Sequence, residues 1–390
     1  MYINKEKQDA FKNCYGWNMI IGINIIPLFS EQGSGAFRYI KLILHRLGDY
    51  NLEEHQFVVY KQKCISEDYI GFPSNLNVKY VNVPNIGRGL KRLLFEQTLF
   101  YFYIKRCDVF YSYCSSIPFF VNARKVFTLH DVYFITEKER YGSLQRNYLR
   151  AITWLYVNIC DKVLTVSEFS KKEILKYYKI KPDKLAITYN FIELGDKKEI
   201  DVSAIYDTKG SVVDTRIPYF LYVGNIHPGK NIIRMVNGFN KFNVDEQYQL
   251  LICGKTANSG ESIIREIEGR ANVKYLGYQS RDCVDFLFQN CVAVVLVSLC
   301  EGFGIPPLEG IACHKPALVS KGTSIEEVVG KAGICVDARN EDEIAEGYKK
   351  LLNHYSEFEP HFKGQLLKFS AKDSVETFMK EIGIEWKKEQ

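Results

Sequence analysis

The sequence has no CxxC pair and no grouping of cysteine with histidine at zinc-binding spacing, which removes a structural zinc site and a dithiol redox pair. Its eleven cysteines are odd in number, and several, such as Cys253, Cys291 and Cys335, sit in apolar runs where a thiol behaves as a small core residue. They read as reduced thiols of a cytoplasmic protein. No apolar run reaches the roughly 18 residues needed to cross a bilayer. Lys5, Lys7 and Lys12 precede the apolar stretch Trp17–Phe29 in the manner of a signal peptide. No small-residue cleavage site follows, and an Ile-rich run closed by Pro27 fits a first buried strand instead. No Ser-His-Asp constellation, P-loop or HExxH string is visible. A nicotinamide-type oxidoreductase is disfavoured, because no GxGxxG with a downstream acidic residue follows the first strand. No Asp-x-Asp element is placed to bridge a metal and a diphosphate. Short repeats and low-complexity tracts are also missing.

What is present is an ordinary soluble-enzyme composition, with 46% hydrophobic and 25% charged residues. At 390 residues the chain exceeds what one core usually supports, so two domains are expected. Charge is uneven. Residues 1–205 carry 29 basic against 21 acidic side chains, and the remainder 22 against 25. A basic first half suits an anionic partner such as a membrane surface or a phosphate-bearing acceptor, or is simply a biased solvated surface.

Short apolar runs alternate with helical patterns, which predicts parallel α/β architecture. Strands are expected at Met19–Ile26, Phe57–Tyr60, Val78–Val83, Val109–Tyr113, Lys125–Leu129, Lys162–Val166 and Leu185–Tyr189. A second series is expected at Tyr219–Val223, Gln249–Cys253, Val273–Tyr275, Ala293–Val297, Ala317–Ser320 and Ile334–Val336. Ala36–Leu47, Ser143–Ile159 and Ser370–Trp386 read as helices. Residues 194–215 break the rhythm and predict the linker, giving domains at 1–200 and 215–370, with 371–390 as a closing helical segment. In two doubly wound Rossmann-like domains, ligands gather at the carboxyl ends of the strands, and facing ends make one cleft.

The chemistry concentrates in Glu301-Gly-Phe-Gly-Ile-Pro-Pro-Leu-Glu309. A buried strand runs into a glycine-containing loop, and Pro306-Pro307 opens a helix at its permitted positions. The loop is expected to offer backbone amides at a helix start, with Glu301 before it and Glu309 in the first helical turn. Carboxylates are strong acceptors for sugar and ribose hydroxyls. The plainer alternative makes Glu309 a helix-dipole partner and Glu301 a solvated loop residue.

The string resembles the E-x7-E signature of the group-1 (family 4) retaining glycosyltransferases, which have the GT-B fold. The resemblance implies that Glu301 lies beside the donor sugar and Glu309 holds the nucleotide ribose, with Gly302, Phe303, Gly304 and Ile305 against sugar and phosphate. Tyr222-Val-Gly-Asn-Ile-His-Pro-Gly-Lys230-Asn resembles the family's strand–loop–Lys element, implying that Lys230 stabilises the departing diphosphate. Many members carry an arginine beside that lysine. Asn225 and Gly229 occupy those places here, so Asn225 faces the donor and His227 or a basic residue from elsewhere supplies any further charge. Pro27-Leu-Phe-Ser-Glu-Gln-Gly33-Ser-Gly35-Ala-Phe-Arg-Tyr resembles the family's first loop, implying that Gly33 and Gly35 approach the donor phosphate. A plain tight turn is the alternative. Thr128-Leu-His130-Asp131 resembles the strand end whose histidine lies near the reacting sugar. Leu276-Gly277-Tyr278 is similar to the segment lining the base, and Lys321-Gly-Thr323-Ser324 to the helix start near the diphosphate, with capping by Thr323 or Ser324 and Glu326 or Glu327 as the alternative for the latter. Phe95-Glu-Gln97 and Thr165-Val-Ser167-Glu-Phe-Ser170 match as architecture, the latter as a capped helix.

The resemblance implies a metal-independent hexosyltransferase with no cofactor, its donor a nucleotide-diphosphate sugar and its acceptor a saccharide or lipid-linked saccharide in cell-surface polysaccharide synthesis. Nucleic acid is not an expected partner. Sucrose- or trehalose-type synthases, nucleotide-sugar epimerases and noncatalytic nucleotide-sugar-binding proteins are the alternatives. Ile86–Arg106 mixes aromatic and basic residues on an expected helix, which suits peripheral contact with an anionic inner membrane face. A partly buried helix with basic ends is the alternative.

Overall fold

A computed structural model describes residues 18–31, 35–114, 116–137, 142–193, 205–257, 260–270 and 272–386. Gly33, the three early lysines and residues 194–204 of the expected linker lie outside these residues. All thirteen expected strands form. Seven make one parallel sheet: β1 (Ile20–Asn24), β2 (Gln56–Gln62), β3 (Asn77–Val83), β4 (Val109–Ser112), β5 (Arg124–Thr128), β6 (Lys162–Thr165) and β7 (Leu185–Ile187). The second sheet holds β8 (Tyr219–Val223), β9 (Gln249–Cys253), β10 (Val273–Gly277), β11 (Ala293–Leu296), β12 (Ala317–Ser320) and β13 (Gly333–Val336).

Strand order in the first sheet is β3-β2-β1-β4-β5-β6-β7 and in the second β10-β9-β8-β11-β12-β13. Each order reverses once, between β1 and β4 and between β8 and β11. Those reversals leave a crevice beyond the strand ends, where ligands bind in sheets of this kind. Helices cover both faces, so central strands such as β4, β9, β11 and β12 are buried at every residue and read as unbroken apolar runs. The fold is the two-domain Rossmann-like GT-B arrangement.

Ile205 and Val213 are buried in the second core, so the second unit takes in chain ahead of residue 215. Helix Ala371–Ile382 returns to the first sheet. The Phe378 ring meets Tyr111 edge-on at 4.9 Å between centroids, and Lys162 pairs with Glu381 at 2.9 Å. Cys253 and Cys291 are buried, but Cys335 on the edge strand β13 is only partly so. Among the described residues every cysteine is a free thiol.

The stretch Ile86–Arg106 is not one helix. An α-helix over Leu90–Gln97 stops at Thr98, whose hydroxyl donates to the Leu94 carbonyl at 2.7 Å, and a 3-10 turn over Leu99–Phe102 follows. A threonine side chain that bonds back into the preceding turn competes with the helical ladder. No helix among the described residues is long and apolar enough to cross a membrane.

Candidate active site

Lys230 and Glu301 meet at the reversal point of the second sheet. After β8, a 3-10 turn over Pro228–Lys230 ends at Asn231, which takes a left-handed conformation (φ 58°). Asparagine tolerates that region better than most residues. Its buried amide donates to the carbonyls of Val297 (3.0 Å) and Ala338 (2.6 Å), clamping the turn against the end of β11. The Leu299 amide donates to the Gly229 carbonyl at 3.0 Å, closing the two loops on each other. Within that frame the Lys230 ammonium donates to Glu301 Oε1, which also accepts from the Ser298 hydroxyl at 3.0 Å. Both charged side chains are largely buried, at 18% and 13% exposure. His227 Nδ1 accepts from the Gly229 amide at 3.2 Å, so its ring caps this turn. Asn225 is exposed, and its carbonyl accepts from the Tyr222 hydroxyl at 3.0 Å.

Helix Ile305–Ala312 starts from Gly304, whose φ of 90° is available to glycine at little cost and whose missing Cβ leaves room for Ile325. The prolines qualify its value as an anion site. A helix start leaves about four amides unpaired, and Pro306 and Pro307 remove two of them. Charge for an anion must therefore come largely from side chains. Glu309 lies in the second helical turn, not the first, and is 5% exposed. Its Oε1 accepts from Arg38 at 2.5 Å and from Arg281 at 2.6 Å. Burial pushes its pKa up, but the two guanidiniums outweigh that and hold the carboxyl below its ordinary range. Arg38 belongs to the first domain and Arg281 to the second, so the pair spans the cleft. Both arginines thus place positive charge at Glu309.

The first domain also grips the 301–302 loop. The Tyr133 hydroxyl accepts from the Glu301 amide at 2.7 Å and donates to the Glu301 carbonyl, which Ser324 also reaches. Ser167 donates to the Gly302 carbonyl at 3.0 Å while capping helix Glu168–Tyr177 through the Ser170 amide. A Cβ on Gly302 would lie 3.4 Å from the His130 carbonyl. The His130 ring donates from Nε2 to the Tyr113 carbonyl at 2.9 Å. Desolvation pushes its pKa down to about 4, so at neutral pH the ring is uncharged and Nδ1 is an acceptor.

The remaining expected residues are placed differently. The Phe303 side chain is core, edge-on to Phe369 at 5.1 Å, so only its backbone is available to a ligand. Ile305 packs beside the same core. Thr323 is buried, its hydroxyl 3.2 Å from the Ser320 carbonyl it donates to. Tyr278 is 70% exposed, with the Lys255 ammonium 4.2 Å above its ring. Gly35 opens helix Gly35–Arg46 with open space where a Cβ would stand.

Sequence reasoning missed Tyr133, Ser298 and Arg281, and gave no role to Arg38 although it stands three residues after Gly35. It offered Glu327 only as a possible cap of its own helix and missed its contact with the first domain. That carboxylate accepts from the amides of Glu168 (2.9 Å) and Phe169 (3.3 Å) and from the Tyr189 hydroxyl (2.9 Å), all in the first domain. Carboxylates at a helix start are favoured by the helix dipole. Glu327→Ala is expected to loosen this seam and raise the ligand-free radius of gyration by roughly 1 Å in small-angle scattering. An unchanged radius would mean the seam holds without it.

Residues 34–196 match the family described as Glycosyltransferase Family 4, and residues 207–363 the family described as Glycosyl transferases group 1. The chain is 30% identical over 232 residues to the O-antigen chain mannosyltransferase RfbU of Salmonella typhimurium and 27% identical over 232 residues to the O-antigen chain mannosyltransferase B of Escherichia coli. These matches take in 58% and 57% of this chain, and the chain spans 60% and 59% of those relatives' lengths. Its fold superposes on the sucrose-phosphate synthase of Thermosynechococcus elongatus with a TM-score of 0.73 at 14% identity, covering 93% of this chain and 98% of that one.

Proposed function

The chain belongs to the group 1 (family 4) glycosyltransferases, and on that premise we propose that it is a retaining enzyme of cell-surface polysaccharide synthesis, moving a hexose from a nucleotide-diphosphate sugar to a saccharide or lipid-linked saccharide. The observation that carries this reading is the meeting of Lys230 and Glu301 at the reversal point of the second sheet, under loops of the first domain. The names of the two O-antigen relatives favour mannose as the sugar.

Lys230 neutralises the departing diphosphate, and Arg38 or Arg281, freed from Glu309 as the ribose takes its place, adds the charge that an arginine near Lys230 would otherwise supply. Glu301 orients the donor sugar. The bond from the anomeric carbon to phosphate oxygen breaks, and a bond to the acceptor oxygen forms on the same face. The acceptor proton passes to the leaving phosphate oxygen. His130, neutral at working pH, accepts a sugar hydroxyl and moves no proton. The side-chain cations do the work of charge neutralisation without a metal.

Binding and hydrolysis measured across GDP-, UDP-, ADP- and dTDP-sugars test the donor half. One preferred donor, with GDP-mannose the expected one, supports the reading; no binding by any of them overturns it.

The acceptor end faces a membrane in this proposal. Leu90, Leu94, Leu99, Tyr101 and Phe102 are all more than half exposed, with Arg88, Lys91, Lys105 and Arg106 interleaved. Apolar side chains with basic neighbours suit an anionic lipid interface. Flotation with vesicles containing about 30% anionic lipid is expected to carry the protein, and Leu94→Glu with Phe102→Glu to abolish it. Flotation independent of anionic lipid would remove the electrostatic part of this assignment.

A further inference from the structure

Helix Ser143–Ile159 turns outward an apolar strip that lies outside the stretch already assigned to the membrane. Leu144, Tyr148, Ala151 and Trp154 recur at the three- and four-residue steps that put side chains on one helical face. All four are exposed, Leu144 at 87% and Trp154 at 59%. Asn147 and Asn158 lie along the same strip and carry no charge. The helix buries its other side through Thr153, Tyr156 and Val157. A surface helix ordinarily turns charged and polar residues to water on the face opposite its core, so an apolar outward strip calls for an occupant.

The strip runs on, across one loop, into the exposed residues of the first stretch. Gln97, at the end of helix Leu90–Gln97, donates to the Ile117 carbonyl and accepts from the Phe119 amide, each at 3.0 Å. Phe119 is exposed, and its ring lies 5.8 Å from that of Tyr156 in helix Ser143–Ile159, while Phe120 meets Tyr101 edge-on at 5.4 Å. Tyr148 is near enough to Arg92 and Glu96 for both charges to act on its hydroxyl. Residues 90–102, 117–120 and 144–154 therefore share one surface. Its charge has one sign. There are five basic residues in 86–106 and two in 143–159, against one acidic residue in all three segments, Glu96. Glu96 is buried, accepting from Asn24 and Ser116. That charge decides between occupants. A second copy docked through the same face would set these cations against one another, because a two-fold contact is self-complementary. Anionic lipid complements them, and tryptophan and tyrosine favour the headgroup level of a bilayer.

We propose that helix Ser143–Ile159 is a second membrane-contacting element, so that the chain rests on anionic lipid through two helices and the aromatic loop between them. This deepens the membrane reading of the acceptor end given above and rests on it. A single amphipathic stretch leaves the protein free to roll about that stretch. A second contact beside it fixes the tilt. The Glu96 carboxylate ties the same surface to Asn24 at the end of β1, next to the reversal between β1 and β4. The fixed tilt thus holds the crevice of the first domain at the lipid surface, where a lipid-linked saccharide presents its reacting end.

The probe is a vesicle containing about 30% anionic lipid, added to the full chain. Tryptophan emission is expected to shift to shorter wavelength and to be quenched by lipids brominated close to the headgroup. Trp154→Phe, which keeps the strip apolar, removes that response while vesicle binding persists. Leu144→Glu with Trp154→Glu is expected to lower partition onto the vesicles roughly 10- to 100-fold and to leave nucleotide-sugar binding as in the parent. The proposal is overturned if the parent binds vesicles with Trp154 unquenched, or if the double variant binds them as the parent does; the first stretch alone would then hold the membrane. A parent dimer that the double variant turns into a monomer, with vesicle binding unchanged, would give the strip to a second copy and overturn it equally. Failure of the parent to bind anionic vesicles at all would overturn the membrane reading itself, so the two failures are distinguishable.

Discussion

Lys230→Ala is expected to lower turnover about 100- to 1,000-fold, with a much smaller change in the donor concentration needed for half-maximal rate. The asymmetry follows from where charge develops. In the bound donor the diphosphate charge is already spread over several oxygens, and bond cleavage adds to it at the leaving oxygen. A preorganised cation at that point acts mainly on the transition state. The turn that carries Lys230 is held by the Asn231 side-chain amide on two carbonyls and by the Leu299 amide on the Gly229 carbonyl, so its backbone is fixed before the step. Single-turnover kinetics of the variant separate chemistry from binding. Thermal melts guard against a trivial cause, because loss of Lys230 leaves the Glu301 carboxylate with Ser298 as its remaining side-chain partner. An inactive Glu301→Ala beside a fully active Lys230→Ala would sink the leaving-group assignment.

Glu309→Ala is expected to weaken nucleotide-sugar binding about 10- to 100-fold, the effect of losing hydrogen bonds to a charged group. Arg38→Ala is expected to change it less than about fivefold, because Arg38 is 40% exposed and its pairing is screened by water. Pairing with two guanidiniums lowers the carboxyl pKa, so Glu309 stays ionised at and somewhat below the ordinary carboxylate range. A group depressed in this way contributes stability that is full above its unfolded pKa and fades as pH falls through the lower folded value. Donor affinity should therefore hold steady between about pH 7 and 5. Calorimetric titration measures both effects, and parent-like affinity in Glu309→Ala would remove the ribose assignment.

Strand positions were legible because parallel strands covered on both faces must be apolar at nearly every residue, as Ala293–Leu296 and Gln249–Cys253 largely are. The 301–309 loop was legible because glycine and proline restrict the backbone so strongly that their spacing implies a shape. Glu309 was assigned one turn too early, since Gly304 rather than a residue nearer Pro307 starts the helix. Arg281 and Glu327 were not legible. Each is a charged residue near the start of an ordinary amphipathic helix, and its partners, Glu309 for one and the Glu168 amide for the other, are 28 and 159 residues away. The break at Thr98 was equally hidden, because Leu90–Phe102 keeps a helical composition throughout. Local pattern reports what a segment buries, and long-range pairing depends on how two sheets come to face each other.

The two seams between the domains differ in what water does to them. Helix Ala371–Ile382 is fastened to the first sheet by Val375, Phe378, Met379 and Ile382, and parting it would wet apolar surface. Across the cleft the fastenings mix polar bonds with apolar contact: Tyr133 and Ser167 on the 301–302 loop, Arg38 on Glu309, Glu327 on two amides and a phenol, and Phe303, Leu308 and Val328 in the same buried cluster as the first domain's core. The polar groups find equivalent partners in solvent when the cleft opens, so their share of the net cost is small, and the apolar contacts supply the rest. The seam made by helix Ala371–Ile382 is thus the more apolar of the two, and opening of the cleft would part polar bonds together with a smaller apolar patch.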